Sequence, residues 1–272
     1  MDKAKERIAG IPFWIVVLGF VTLVIVPVLN TIIYAFSMGW YYPHLLPPRY
    51  TVCWFIRTFQ VWRLHETLMN TGIIAVLVAI GSISLALPAA YALARLKVPG
   101  ESFIVSTLII PLFLPGLAYG IPAARLLYRL HLNNTYLGIA LIQMLPITPY
   151  VLLMLRGVIA GIPKALEEQA ATLGANKFQT LRRVIFPLAR PGVAAAAAWA
   201  MARSISEFAL TSLVAGPRTI TLPIVLYSSY DTAGMLPTDN AALTVWLLVP
   251  TLAFMSFALR YIKPTTMALK GG

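Results

Sequence analysis

Residues Gly157–Arg190 read GVIAGIPKALEEQAATLGANKFQTLRRVIFPLAR. The stretch is polar and punctuated, yet it lies between two apolar runs, Tyr136–Leu155 and Pro191–Leu213. Each run has the ~20 residues that a bilayer-spanning helix needs. Arg156, Lys164, Lys177, Arg182, Arg183 and Arg190 cluster in or beside it, with Glu167 and Glu168. A basic, amphipathic insert between two membrane spans predicts a cytoplasmic loop that grips something soluble.

The insert carries helix signals at both ends. Pro163 suits a first helical turn, where a missing N–H costs nothing. Glu167 and Glu168 then fall early in that helix, favourably for its dipole. Gly174 ends it with a residue that accepts a left-handed backbone. Asn176 is placed to cap a second helix, with Gln179 completing a capping box, and Pro187 is placed to stop it. Leu166, Ala170 and Leu173 share one face, and Phe178, Leu181, Val184, Ile185 and Leu188 form an apolar stripe. The reading is a compact knob of two short helices joined by a glycine turn.

Outward from this loop, composition sets the class. The 272 residues are 59% hydrophobic and 11% charged, where a soluble domain carries about 25% charged. Mean hydropathy is +0.81. The apolar runs far exceed the ~10 residues of a barrel strand, so an all-α polytopic membrane protein is expected. Six spans fit, near Ile11–Phe36, Thr67–Ala94, Phe103–Leu127, Tyr136–Leu155, Pro191–Leu213 and Ala241–Tyr261. The first is too long for a signal peptide and is read as retained. We divide the chain into 1–66, a first span with an outer loop, and 67–272, a core of five spans with a cytoplasmic loop at 157–190.

The net charge of +12 reflects orientation rather than nucleic-acid binding, because the basic residues flank the spans. With both termini cytoplasmic, the inner segments hold Lys3, Lys5, Arg7, Arg95, Lys97, Arg156, Lys164, Lys177, Arg182, Arg183, Arg190, Arg260, Lys263 and Lys270. The outer ones hold Arg49, Arg57, Arg63, Arg125, Arg129 and Arg218. Pro111, Pro115, Gly116 and Pro122 interrupt the third span, which either lines a pathway or is a kinked packing helix. Thr219–Tyr227 is expected as a short helix at the outer face, and Asp231 and Asp239 as solvated outer acids. Arg203 and Glu207, four apart with Ser204 beside them, form either a polar patch on a pathway or a mutual salt bridge. Tyr119 and Gln143 are further polar candidates near spans.

Several details together carry a resemblance. Glu168-Gln169-Ala170, then Gly174, then Ile185-Phe186-Pro187 resemble the EAA loop of ABC importer permeases, in its usual place between the fourth and fifth of six spans. Gln169 replaces the family's first alanine. Tyr91-Ala92-Leu93-Ala94-Arg95 with Pro99-Gly100, Ser206-Glu207-Phe208, Ala215-Gly216-Pro217, Thr221-Leu222-Pro223 and Tyr227-Ser228 resemble its other landmarks from about Asn70 onward. The resemblance implies the type I ABC importer permease fold in a bacterial or archaeal cytoplasmic (inner) membrane. It also implies two cytoplasmic ABC ATPase subunits, a second homologous or identical permease, and an extracytoplasmic substrate-binding protein.

On that resemblance, Glu168, Gln169, Ala170, Gly174, Ala175, Phe178, Leu181, Ile185 and Pro187 couple to the ATPase. Arg203, Ser204, Glu207, Tyr119 and Gln143 are the candidates for the substrate path. The outer-loop phrase Trp40–Pro48 and the later landmarks resemble the polyamine, phosphonate, thiamine and ferric-ion branch, and sugar-class permeases are the alternative. The sequence has no GxxxxGK[ST], HExxH or Cys/His cluster, and Cys53 is its one cysteine. Hence no catalytic residue, metal or cofactor is expected, and ATP hydrolysis falls to a partner. A secondary transporter is the competing class, but the paired broken helices and repeats that it needs are not evident.

Overall fold

A computed structural model describes residues 2–41, 44–96 and 98–261, with side chains from Ile15 to Ser256. Lys97, Lys263 and Lys270 among the predicted inner charges lie outside the described residues. The elements are α1 (Asp2–Ala35), β1 (Ser37–Met38), β2 (Arg49–Tyr50), α2 (Cys53–Val61), α3 (Leu64–Arg95), α4 (Glu101–Phe113), α5 (Gly116–Arg129), α6 (Tyr136–Ala160), α7 (Ala165–Thr172), α8 (Lys177–Thr180), α9 (Phe186–Ile205), α10 (Ala209–Ser212), α11 (Leu222–Asp231) and α12 (Pro237–Tyr261). Among the described residues five helical stretches are long and apolar enough to cross a membrane, and a bent pair makes a sixth.

The interruption expected in the third span falls at Leu114–Pro115, where α4 and α5 meet at 101°. The residue before a proline is pushed out of the helical region, and Leu114, before Pro115, is extended (φ −91°, ψ 146°). Pro115 then caps α5, where its absent N–H is no loss.

The fifth span is corrected. It runs Lys177–Ile205 rather than Pro191–Leu213, and Pro187 does not stop the second loop helix. A π turn spans Leu181–Ile185, in which the Phe186 N–H donates to Leu181 O, five residues back. The widened turn accommodates the ring and its missing donor, so the helix continues through Pro187. At the other end, the helix stops at Ile205, and Leu210–Leu213 belong to the separate short α10 and its C-cap.

Cα packing divides the described residues into two units, one within 2–64 and 226–246, the other within 65–225 and 247–261. In the first, Ala35, Ala241 and Ala242 form a small core against Tyr34, Phe36, Trp54 and Phe55. Asp239 corrects the expectation of a solvated acid. It is fully buried and paired with Arg57 at 3.2 Å, its Oδ2 also accepting from Leu236 N. Arg57 donates onward to Gly234 O at 2.7 Å. A buried carboxylate persists because the charge is matched and hydrogen-bonded. The outer helix begins at Leu222, three residues later than expected, and runs to Asp231.

In the second unit α6 is the hub. Ile139, Ile142, Leu155 and Ile159 are buried against Ile74 and Val78 of α3, Ile185 and the alanines 189, 196 and 200. Alanine-rich α9 allows two backbones to approach closely, which is how helices associate where no water drives them together. α6 and α9 press together at Gly192, where a Cβ would stand 2.4 Å from Val158 Cγ2. Gly192→Ala therefore forces α6 and α9 apart and should cost about 1–3 kcal/mol. Thermal unfolding in detergent checks this: the midpoint should fall, and Val158→Ala in the same chain should recover most of the loss.

Candidate functional site

Two places in the second unit gather the sequence candidates. The first is a cleft of about 410 Å³ beneath the α4–α5 bend. Pro111, Leu112 and Leu114 form one wall, and Tyr150 of α6 and Trp199 of α9 another. The two rings stack at 4.1 Å and 13°. Tyr119, Arg203 and Glu207 line the same space.

Arg203 sits in the last turn of α9, and Glu207 just beyond the helix end. Their side chains pair at 2.7 Å, with 44% of the arginine and 7% of the glutamate exposed. Glu207 Oε1 also accepts from Leu210 N at 3.0 Å, satisfying an amide at the start of α10. The carboxylate is thus committed to the protein, while the guanidinium keeps a free edge toward the cleft.

Ser204 and Gln143 do not line this cleft. They are buried behind it in a chain of bonds: Ser204 Oγ donates to Gln143 Oε1 (2.5 Å), Gln143 Nε2 to Thr211 Oγ1 (2.7 Å), and Thr211 Oγ1 to Glu207 O (2.8 Å). Such fully satisfied chains fix one packing arrangement, here the seat of α10 against α6. Asn134 and Asn70 lock the turn beyond. Asn134 Oδ1 accepts from Arg218 N and Thr219 Oγ1, and Asn70 Nδ2 donates to Ile220 O.

The second place is the loop between α6 and α9. Glu167 and Glu168 lie in the first turn of α7. Pro163 precedes that helix rather than entering it. Gly174 has φ +82°, the left-handed turn that favours glycine. Asn176 and Gln179 form the capping box in both directions, at 2.8 and 3.0 Å. Ile185 is buried, Ala170, Ala175, Leu181 and Pro187 are half-buried, and Glu168 and Gln169 are exposed. Leu173 and Phe178 project from either side of the glycine turn, 88% and 69% exposed. Two large apolar side chains thus stand exposed at the tip of a charged knob.

The structure adds residues that sequence reasoning missed: the Tyr150–Trp199 stack, and ion pairs Arg95–Glu167 and Glu101–Arg156 at the root of the loop. The aromatic pair lies 49 positions apart by its numbering. Neither it nor the ion pairs leave a local spacing signal.

A bent apolar helix pair over a largely apolar cleft, among helices long enough to cross a membrane, places the chain with polytopic membrane proteins. The chain belongs to the family of binding-protein-dependent transport system inner membrane components, whose model matches residues 8–265. It is 31% identical to a putative ABC transporter permease of Streptomyces antibioticus, over 76% of this chain and 90% of that one. It is 30% identical to the sulfoquinovosyl glycerol transport system permease of Agrobacterium fabrum, covering 81% and 79%. The fold matches a chain of a bacterial ABC transporter that imports alginate with TM-score 0.77 and 20% identity, covering 95% and 98%. The protein is thus a permease of binding-protein-dependent ABC import. Its relatives include sugar, molybdenum and polyamine permeases, and no one branch stands out.

The geometry separates two roles of Glu207. Glu207→Ala leaves the buried Leu210 N–H unpaired, at a cost of about 1–3 kcal/mol. Glu207→Gln keeps an oxygen acceptor there and removes only the charge. Thermal unfolding of the purified protein should show a clear drop for the alanine variant and a much smaller one for the glutamine variant.

Proposed function

We propose that the knob between α7 and α8 docks into a cytoplasmic ATPase, and that the cleft beneath the α4–α5 bend is this subunit's half of the translocation path. The observation that carries the reading is the tip itself, Leu173 and Phe178 held out in solvent around a left-handed Gly174. Two large apolar side chains held out around one turn suit a groove on another protein that would cover them. Two ATPase subunits, a second permease and an extracytoplasmic binding protein complete the machine, set in the cytoplasmic membrane with both termini inside. ATP binding draws the knobs together and turns the path outward, and hydrolysis, which takes place on the partner, resets it.

The cleft also bears on the cargo. Glu207 is neutralised by Arg203 and by a backbone N–H, so it offers no free charge to a polycation. The half-exposed guanidinium and the Tyr119 hydroxyl offer donors, and the stacked Tyr150 and Trp199 offer an apolar wall. A few convergent polar groups on an aromatic surface suit a neutral or anionic polar solute, a polyhydroxylated one above all. This favours the sugar-class alternative over the polyamine reading.

Two outcomes test this. Gly174→Val, which strains the turn, should leave the protein inserted but abolish transport-coupled ATP hydrolysis in the reconstituted transporter; normal coupling in that variant would refute the docking knob. Labelled spermidine should not be imported by cells carrying the whole system. With a panel of neutral and anionic sugars, Arg203→Gln should lower uptake of the anionic ones about tenfold, the scale of a lost charge-assisted hydrogen bond.

A further inference from the structure

One helix carries cations that nothing in the chain answers. The fifth span, Lys177–Ile205, has Lys177, Arg182, Arg183 and Arg190 toward its loop end, and no acid occurs from Gln169 to Ser206. Arg182, Arg183 and Arg190 are exposed, and among the described residues none of them makes an ion pair. Arg95 and Arg156 of the neighbouring spans, by contrast, each have a glutamate.

Depth in the bilayer makes the imbalance matter. At 1.5 Å per residue the 29-residue span is about 43 Å long, against about 30 Å for the hydrocarbon core and about 40–45 Å with both headgroup layers. The apolar part begins at Val184, so Arg182 and Arg183 lie at headgroup level. Arg190 lies about 10 Å further in, where an unmatched charge is costly. Helical side chains lean toward the N-terminus of their helix, which here is the loop end. The Arg190 guanidinium lies over the Phe186 ring, one turn nearer the loop, at 5.9 Å from its centroid. It thus reaches back toward the headgroups with its stem along apolar surface. Phe186 and Leu188, 39% and 49% exposed, stand between the cations.

The geometry points to a site for an anionic phospholipid: Arg182, Arg183 and Arg190 grip the headgroup phosphate, and Phe186 and Leu188 pack against the acyl chains. A guanidinium holds a phosphate through two parallel N–H···O bonds. A cluster of cations beside a membrane helix favours lipids of net negative charge over zwitterionic ones. Arg190 decides between lipid and a soluble partner, since a cation this far into the bilayer is beyond the reach of a protein in water. The site does not depend on what covers the tip of the knob.

The test needs no knowledge of the cargo. The complete transporter, purified in a nonionic detergent, is offered phosphatidylglycerol and phosphatidylcholine with identical acyl chains, and the lipids it retains are weighed by native mass spectrometry. The parent should retain phosphatidylglycerol over phosphatidylcholine by about tenfold, the scale of one charge-assisted hydrogen bond. Arg182→Gln, Arg183→Gln and Arg190→Gln combined should lose that preference, and Lys164→Gln, outside this helix, should keep it. Inorganic phosphate should not displace the bound lipid, because it lacks the chains that Phe186 and Leu188 hold. Equal retention of the two lipids by the parent would overturn the site. An unchanged preference in the triple variant would do the same, and loss of the ATPase from that variant alongside it would give the face to a protein partner. If the triple variant inserts poorly, the single variants decide: Arg190→Gln alone should weaken the preference, and parental behaviour in all three would overturn the site. Displacement of the lipid by inorganic phosphate would overturn it in favour of a free anion.

Discussion

Inside a bilayer a backbone amide has no water to turn to, so every break in a helix must be answered by protein. This chain interrupts regular α-helical bonding repeatedly: it breaks at Leu114–Pro115 and after Ile205, and widens to a π turn before Pro187. The answers are specific. Phe186 reaches back five residues to Leu181 O. Glu207 accepts from Leu210 N, and the Gln143–Thr211 bond ties α10 to α6. The cleft exists because of these repairs. An unbroken third span would fill the space that α4 and α5 open between them, and an unbroken fifth span would carry Glu207 elsewhere.

The same economy explains why polar residues in the second unit divide into two sets. Gln143, Ser204 and Thr211 satisfy one another and take no further part, being closed off by burial. Arg203 and Tyr119 keep access to open space. Burial and partnership, rather than polarity, decide which intramembrane polar groups remain available to a solute. The Arg203–Glu207 pair belongs to both sets, since its acid is structural and its base is half exposed. The two sequence-level alternatives, path or salt bridge, are therefore not exclusive here.

The loop shows what local chemistry makes readable. Its glycine turn and its Asn176–Gln179 box rest on interactions within a few residues, and both stand where the sequence placed them. Pro187 was misread because a proline's effect depends on whether a widened turn can absorb it. That in turn depends on Ile185 and Ala189 being buried against the core. Asp239 was misread because its partner, Arg57, is far away in sequence and close only in the fold.

The sequence by itself determined the helical membrane class, the approximate spans, the capped knob and the family, because each follows from hydropathy length, near-neighbour hydrogen bonding or a contiguous motif. Tertiary structure alone decided the 101° bend, the aromatic stack, the separation of Ser204 and Gln143 from the cleft, and the two ion pairs at the loop root. The physical reason is range. Capping and periodicity act within a turn or two of one helix, whereas these features join side chains that only the packing of α3, α4, α6 and α9 brings within a few ångströms.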